Sequence, residues 1–383
     1  MLDLLMTIAI YVIPFVVVLS LVVFVHEFGH FIVGRWCGVQ VDAFSIGFGP
    51  ELFARVDRHG TRWRVAAIPL GGYVKFHGDA NGASVPDPEA VDAMAEAERA
   101  VTFAAQPVWK RSAIVFAGPF ANFLLAIAIF AGLFAFYGRT VLKPRIGSVV
   151  AGGAGEAAGF MPGDLVLTID GTTVDTFGKL QEIVSVSADT KLAFVVRRND
   201  KDVAISAVPA FREVESGAGK MRIGMLGLKA STAPADVHEE RYGPLQSLGM
   251  GLDETWQVVY RTGAYVGGLV SGRESADQLS GPIGIAQISG QMAQAATKVG
   301  LGPFLNLIAI LSVSIGLLNL MPVPLLDGGH LLFFSIEAVR GRALNERAQE
   351  FAFRIGLAMV GVLMIFSTYN DISRLIQRIA GAS

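Results

Sequence analysis

Three long runs of the chain carry no charged residue, and polar chemistry begins where two of them end. Leu4 to Val25 is 22 uncharged residues, enough to cross a bilayer that needs about 20. Ser112 to Gly138 is the second run, entered through Lys110-Arg111, and Val299 to Leu326 is the third. Each predicts a membrane-spanning helix. A fourth, Ile355 to Asn370, has only 16 uncharged residues. Extended to about 351–372 it is long enough if Arg354 snorkels to the interface. The first run reads as a retained span and not a cleaved leader, because Asp3 precedes it and a polar motif follows. Pro14 within it is tolerable where bundle neighbours satisfy the freed backbone groups.

Between the spans the pattern changes. In residues 31–111, Arg62 to Ile68 and Gly72 to Phe76 flank Pro69-Leu70-Gly71-Gly72, which reads as a hairpin over about 62–77. Its Gly71, Gly72, Tyr73 and Val74 form a candidate edge for strand addition by an extended peptide. The stretch from Asp79 to Ala100 is rich in Ala, Asp, Glu and Pro and reads as a loop or helix without chemistry. Residues 140–230 have Gly-rich turns, short β-branched runs and charges, as a small soluble domain does. Ala157 to Gly171 reads as helix, turn, strand, turn, followed by a helix at Phe177 to Ser187 and a strand at Lys191 to Arg198. This segment resembles a PDZ domain, in a single copy, which implies a peptide or a C-terminal carboxylate as ligand. Residues 231–298 form a linker in which Ser247 to Gly272, broken by Asp253, Glu254 and Arg261, reads as an interfacial helix. Gly281-Pro282-Ile283-Gly284 then marks a break before another short helix.

The expected architecture is therefore an α-helical polytopic membrane protein of about four spans, near 4–30, 112–138, 299–326 and 351–372, with an inserted small α+β domain. The two membrane halves are 1–139 and 299–383. Composition agrees: 52% of residues are apolar, only 17% are charged, and the formal net charge is -2. A chain this apolar is no ordinary soluble enzyme, and nothing basic points to nucleic acid. One cysteine, Cys37, leaves no intrachain disulfide and no cysteine-rich zinc site.

The first run opens directly into His26-Glu27-Phe28-Gly29-His30. Histidines at i and i+4 share a helix face and can converge on one metal, and Glu27 can then act as general base. Ionisable groups at the end of a span are expensive and usually functional. The third run ends in Asn319-Leu320-Met321-Pro322-Val323-Pro324-Leu325-Leu326-Asp327-Gly328-Gly329-His330. Two prolines push Met321 and Val323 from helical conformation, so extended chain is expected just before Asp327. Spans alternate in direction, so spans one and three run the same way and both motifs fall on one side at similar depth. A catalytic zinc takes about three protein ligands, and after His26 and His30 the third is Asp327 or His330. Asp327 has the stronger electrostatic case. His59, His77 and His238 have no ligand spacing. Asn122, beside Gly118-Pro119 in the second span, reads as a packing contact to another helix.

Together, the His26 to His30 motif, the Asn319 to Gly329 segment and the intervening PDZ-like domain resemble a bacterial site-2 protease of the RseP type, peptidase family M50B. Gly71-Gly72-Tyr73-Val74-Lys75-Phe76 and Gly281-Pro282-Ile283-Gly284 extend the likeness over nearly the whole chain. The resemblance implies a zinc metalloendopeptidase with His26, His30 and Asp327 on zinc and Glu27 as acid/base. It also implies that Asn319 holds substrate or the developing oxyanion. Substrates would be single-span membrane proteins, such as an anti-sigma factor, or remnant signal peptides. It further implies a multi-pass protein of the bacterial inner membrane, in contact with its lipid. The active site would lie toward the cytoplasm, the PDZ domain in the periplasm, and the hairpin in the membrane. Loop charges give only a lean: Arg340, Arg342, Arg347 and Arg354 favour that orientation, while Arg139, Lys143, Arg145, Arg374 and Arg378 oppose it. The family member most often discussed has tandem PDZ domains, whereas a single copy is expected here. The competing classes are a membrane-anchored metalloprotease with a glutamate as third ligand, and a scaffold or metal transporter with a PDZ adaptor. A transporter would show internal repeats or paired broken helices, and one break is visible.

Overall fold

The structure is a computed structural model that describes residues 2–79, 93–216, 219–272 and 280–381. It divides into two compact units, residues 1–131, 248–260 and 275–383 forming the first and residues 132–247 and 261–274 the second.

Among the described residues, four helices are long and apolar enough to cross a membrane: Ala9–Trp36, Val108–Phe136, Gly302–Asn319 and Arg347–Gln377. They belong to α1 (Leu2–Trp36), α3 (Val108–Phe136), α8 (Gly302–Asn319) and α10 (Glu346–Gly381). The four-span expectation holds, with a shorter third span and a longer fourth. At about 1.5 Å per residue α1 is longer than a ~30 Å hydrocarbon core requires. The helix therefore continues unbroken through His26–His30. A short helix, α2 (Glu96–Arg99), lies in the Ala-rich stretch, of which residues 80–92 fall outside the described residues.

Two long strands, β1 (Val41–Val56) and β2 (Arg62–Phe76), follow α1. Their pairing corrects the expected hairpin. Arg62 and Lys75 both register with Ala43, and Trp63 and Val74 both register with Phe44. The two arms of β2 therefore flank the first half of β1 and do not pair with each other. The first arm also pairs with the second half of β1, as in Arg62↔Val56 and Arg64↔Ala54. This folds two chain segments into four ribbons, with Gly72–Phe76 at one edge. Gly71 makes the bend between the arms at φ +146°, a conformation that favours glycine, and a Cβ there would lie against the Phe48 ring. Phe31, Phe44, Val74, Phe76, Phe103 and Ile114 form the core joining this sheet to the helices. Arg35 and the Trp63 indole N–H both donate to Asp57, clamping the sheet to the end of α1.

The second unit carries β3 (Arg139–Leu142), β4 (Ile146–Val149), α4 (Ala154–Ala157), β5 (Leu165–Ile169), β6 (Thr172–Thr173), α5 (Phe177–Ser185), β7 (Leu192–Arg198) and β8 (Lys201–Ala207). β9 (Ala210–Ser216), β10 (Gly219–Met225), β11 (Leu228–Ala230) and β12 (Val237–Glu240) complete it. β6-β5-β7-β8 form an antiparallel sheet, while β9 pairs with β10, β11 with β4 and β12 with β3. Leu192, Phe194 and Val196 alternate inward on β7, and with Val166 and Ile169 of β5 they share a core with Leu180 and Val184 of α5. Thr176 caps α5 by accepting the Lys179 N–H, so this helix starts where its first apolar face begins. The expected order of helix, strand, helix and strand is present.

After it come α6 (Pro244–Val270), the expected interrupted apolar helix, and α7 (Pro282–Val299), which starts at Gly281. Between α8 and α9 (Asp327–Arg340), residues 320–326 leave the helix as expected. The link is a string of tight turns and not extended chain: Val323 N–H reaches Met321 O at 2.7 Å, and Leu325 and Leu326 both donate to Val323 O. Leu326, the N-cap, has extended geometry, φ -102° and ψ 165°. The prolines forbid helix, but the tight packing of Gly328 and Gly329 selects the turns.

Candidate metal centre

Helical geometry places His26 and His30 one turn apart on α1, both nearly fully buried. Their Nε2 atoms lie 3.2 Å apart. Asp327, the first residue of α9, brings Oδ2 to 3.1 Å from His26 Nε2 and 3.5 Å from His30 Nε2. One ligand atom from each residue thus lies within 4.8 Å of the others, and no other group of this kind occurs among the described residues. Asp327 stands in the first turn of its helix, where the dipole favours a carboxylate.

The second ring nitrogen of each histidine meets α3. His30 Nδ1 lies 2.9 Å from the Ile114 carbonyl, and His26 Nδ1 lies 3.2 Å from Asn122 Nδ2. A carbonyl only accepts, so His30 Nδ1 carries its proton and Nε2 is a bare donor. Asp327 Oδ2 is buried and has no hydrogen-bond partner. Lewis-basic atoms therefore face one another at van der Waals range or closer, which is costly unless a cation lies between them. Ligands about 2.0–2.1 Å from a tetrahedral centre are about 3.3–3.4 Å apart, close to the separations found here. The residues fit zinc.

Glycines make the approach possible. A Cβ on Gly118 would fall 2.3 Å from His30 Nε2, and one on Gly29 would fall 2.3 Å from the Ala117 carbonyl. After Asp327, a Cβ on Gly328 would strike the Leu320 and Met321 carbonyls at 2.3 Å, and one on Gly329 the Val323 carbonyl at 2.4 Å. The Asp-Gly-Gly sequence thus lets the turns fold back over the first turn of α9. Arg111 of α3 fixes the far end of α9 through paired bonds to Glu337, at 2.6 and 3.2 Å.

Glu27 projects from α1 toward the β2 edge. The Val74 backbone N–H is directed toward its carboxylate. A Cβ on Gly72 would come within 3.2 Å of Glu27 Cγ and 2.7 Å of the Ser45 carbonyl. Of the four residues expected at the edge, Gly72 and Val74 therefore touch the acid. Tyr73 stacks on Phe48 at 6.2 Å, and Gly71 makes the bend. The ribbon has no further strand beside it among the described residues.

His330, the other candidate third ligand, lies among Phe333, Phe334 and Phe353, with ring centroids 5.5–6.5 Å away. It is not in the donor cluster. Asn319 is the last residue of α8, half-buried, eight positions before Asp327. His77 sits between Asp42 and Glu98, the His59 backbone N–H donates to the Asp57 carboxylate in a turn, and His238 pairs with Glu240, all outside the centre. Asn122, expected to serve packing, and Gly118, given no role by the sequence, both stand at the centre. Their spacing of four, equal to that of His26 and His30, was the available signal.

Comparison with known proteins agrees with this chemistry. The model of Peptidase family M50 matches residues 14–363. A protein of Rhizobium meliloti (strain 1021) named as a zinc metalloprotease is 50% identical over 365 residues, covering 95% of this chain and 96% of its own. One of Agrobacterium fabrum, similarly named, is 48% identical over 96% of both chains. Metalloprotease MmpA of Caulobacter vibrioides is 40% identical over 93% of this chain and 94% of its own.

Proposed function

Because the chain belongs to peptidase family M50, we propose that it is a zinc metalloprotease that cuts peptide bonds within or near the transmembrane segment of single-span membrane proteins. The observation that carries this reading is the convergence of His26 Nε2 and His30 Nε2, both within a membrane-length apolar helix, with Asp327 Oδ2. A scaffold leaves Glu27 and this donor set without a purpose, and a transporter would show internal repeats or paired broken helices.

His26, His30 and Asp327 would hold the zinc. When bound, zinc supplies Lewis-acid chemistry, activating water and polarising a peptide carbonyl. Glu27 accepts the proton of the attacking water and returns it to the leaving nitrogen. The close approach of the β2 edge at Gly72 confines the carboxylate for that task. The Asn319 amide, at the end of α8, donates to the oxyanion that develops on the carbonyl oxygen.

A helical substrate hides its carbonyls in its own backbone bonds, so it must unwind before it is cut. Gly71, Gly72, Tyr73 and Val74 would hold the unwound stretch by strand addition, beside Glu27. The second unit would act as a PDZ domain that binds a peptide or C-terminus. The protein would lie in a bacterial inner membrane, with the metal centre toward the cytoplasm and the second unit in the periplasm. Its substrates would be anti-sigma-factor-like proteins or remnant signal peptides.

The test is cleavage of a tagged single-span protein by the enzyme in proteoliposomes, with the cut located by mass spectrometry. The expected cut lies inside or at the margin of the apolar segment, is lost with a zinc chelator and returns with zinc. Cleavage confined to a soluble tail, or unaffected by chelation, would overturn the reading.

A further inference from the structure

Asn122 is wholly buried in α3, facing the metal-ligating end of α1. Its backbone and Cβ are held in place from behind. The Asn122 backbone carbonyl accepts the Ser312 hydroxyl at 2.9 Å, and a Cβ on Gly316 of α8 would come within 3.2 Å of the Asn122 Cβ. In front, its terminal amide meets His26 Nδ1 at 3.2 Å. In the orientation that puts Nδ2 on the ring, Oδ1 is buried with no partner. Nothing on the far side of the amide therefore fixes that orientation. The oxygen and nitrogen exchange places by a half-turn of the terminal torsion, and the hydrogen-bond network decides which faces the ring.

The ring needs the oxygen. A neutral imidazole has one N–H and one lone pair, and His26 directs Nε2 at His30 and Asp327. For Nε2 to offer its lone pair there, Nδ1 must carry the proton and find an acceptor. The Ile114 carbonyl serves His30 in this way, and eight residues along the same helix Asn122 Oδ1 can serve His26. A metal-bound histidine whose other N–H is held in place keeps its tautomer and its ring orientation. We infer that Asn122 is the positioning residue for His26: its amide oxygen accepts the Nδ1–H and fixes Nε2 as a metal donor. Asn122 has this role only if the three donors hold zinc, as proposed above.

The test uses the full-length protein in detergent. Zinc affinity is measured by chelator competition, and the visible spectrum is recorded after cobalt is loaded in place of zinc. Asn122→Leu removes the acceptor at similar volume, and Asn122→Ala replaces it should the leucine variant fail to fold. Asn122→Asp restores an acceptor oxygen. Ser312→Ala loosens the packing behind Asn122 without touching the imidazole. Expected results are zinc affinity lowered roughly 10–100-fold in the Leu or Ala variant, with altered cobalt bands. Asp should return affinity to within about threefold of wild type, and Ser312→Ala should leave it unchanged. Wild-type affinity and spectrum without the acceptor, or equal losses in Asp and Leu, would overturn the inference. His26→Ala and His30→Ala separate the two readings: if they also bind zinc as wild type does, the zinc site itself is misplaced.

Discussion

Gly118 and His30 are in contact so close that a methyl group at position 118 would fall 2.3 Å from Nε2, the donor atom itself. The second span therefore serves as a wall of the metal centre. Gly118→Ala is expected to turn the His30 ring off its position, weakening zinc binding at least tenfold and cutting activity in proportion. Zinc titration of the purified variant checks this, and wild-type affinity would show that the wall gives way.

Asp327 is in the donor cluster and His330 is not. Asp327→Asn should lower zinc content far more than His330→Ala, whose cost is packing among Phe333, Phe334 and Phe353. Metal analysis of both variants after identical purification decides. The reverse order would move the third ligand.

Gly72 separates Glu27 from the Ser45 carbonyl with no room for a side chain. Gly72→Val should shift both the β2 edge and the carboxylate. The expected result is retained zinc with turnover reduced at least tenfold. Loss of zinc in step with activity would instead mean that the edge supports the ligands.

The second unit should lose stability in acid. Burial pushes the Asp164 carboxyl up, but bonds from Arg198 and from the Met161 N–H outweigh it and hold the carboxyl below the usual range. The Ser231 hydroxyl and Arg145 do the same for Asp236, against a smaller effect of burial. A carboxyl depressed on folding contributes stability that is present above its unfolded pKa, about 3.9, and lost as pH falls through the folded value. Hydrogen exchange across β5 and β7 of the full chain should therefore quicken as pH drops below about 4, after correction for intrinsic rates. Asp164→Asn should cost about 1.5–3 kcal/mol at neutral pH and flatten that dependence. An unchanged acid profile in the variant would assign the loss elsewhere.

Much of this centre was legible in the chain. The spans show because charge is excluded from them, and the ligands show because i and i+4 share a helix face. Alternation of span direction already placed Asp327 on the side of His26. The same alternation makes α1 and α3 antiparallel, so residues on facing turns have numbers of constant sum. His26 with Asn122 and His30 with Gly118 obey it, but the value of the sum is set only by how the two helices pack. The sheet was less legible. Phe44, Ile46 and Phe48 alternate as a strand does, but no local signal says that this segment inserts between the arms of β2. That pairing is set by long-range burial of Phe44 against Phe31 and Trp63. The turns before Asp327 were hidden similarly. Prolines exclude helix there, but the close carbonyl contacts of Gly328 and Gly329 exist only once the segment folds back.

The most direct measurement compares wild type with Glu27→Gln, assaying cleavage of one single-span substrate and zinc content on the same purified samples. The substitution keeps the shape of the side chain and removes its capacity to take a proton, while His26, His30 and Asp327 remain. The account predicts equal zinc in both proteins and cleavage by the wild type alone. Cleavage by Glu27→Gln at the wild-type rate, with zinc retained, would contradict it.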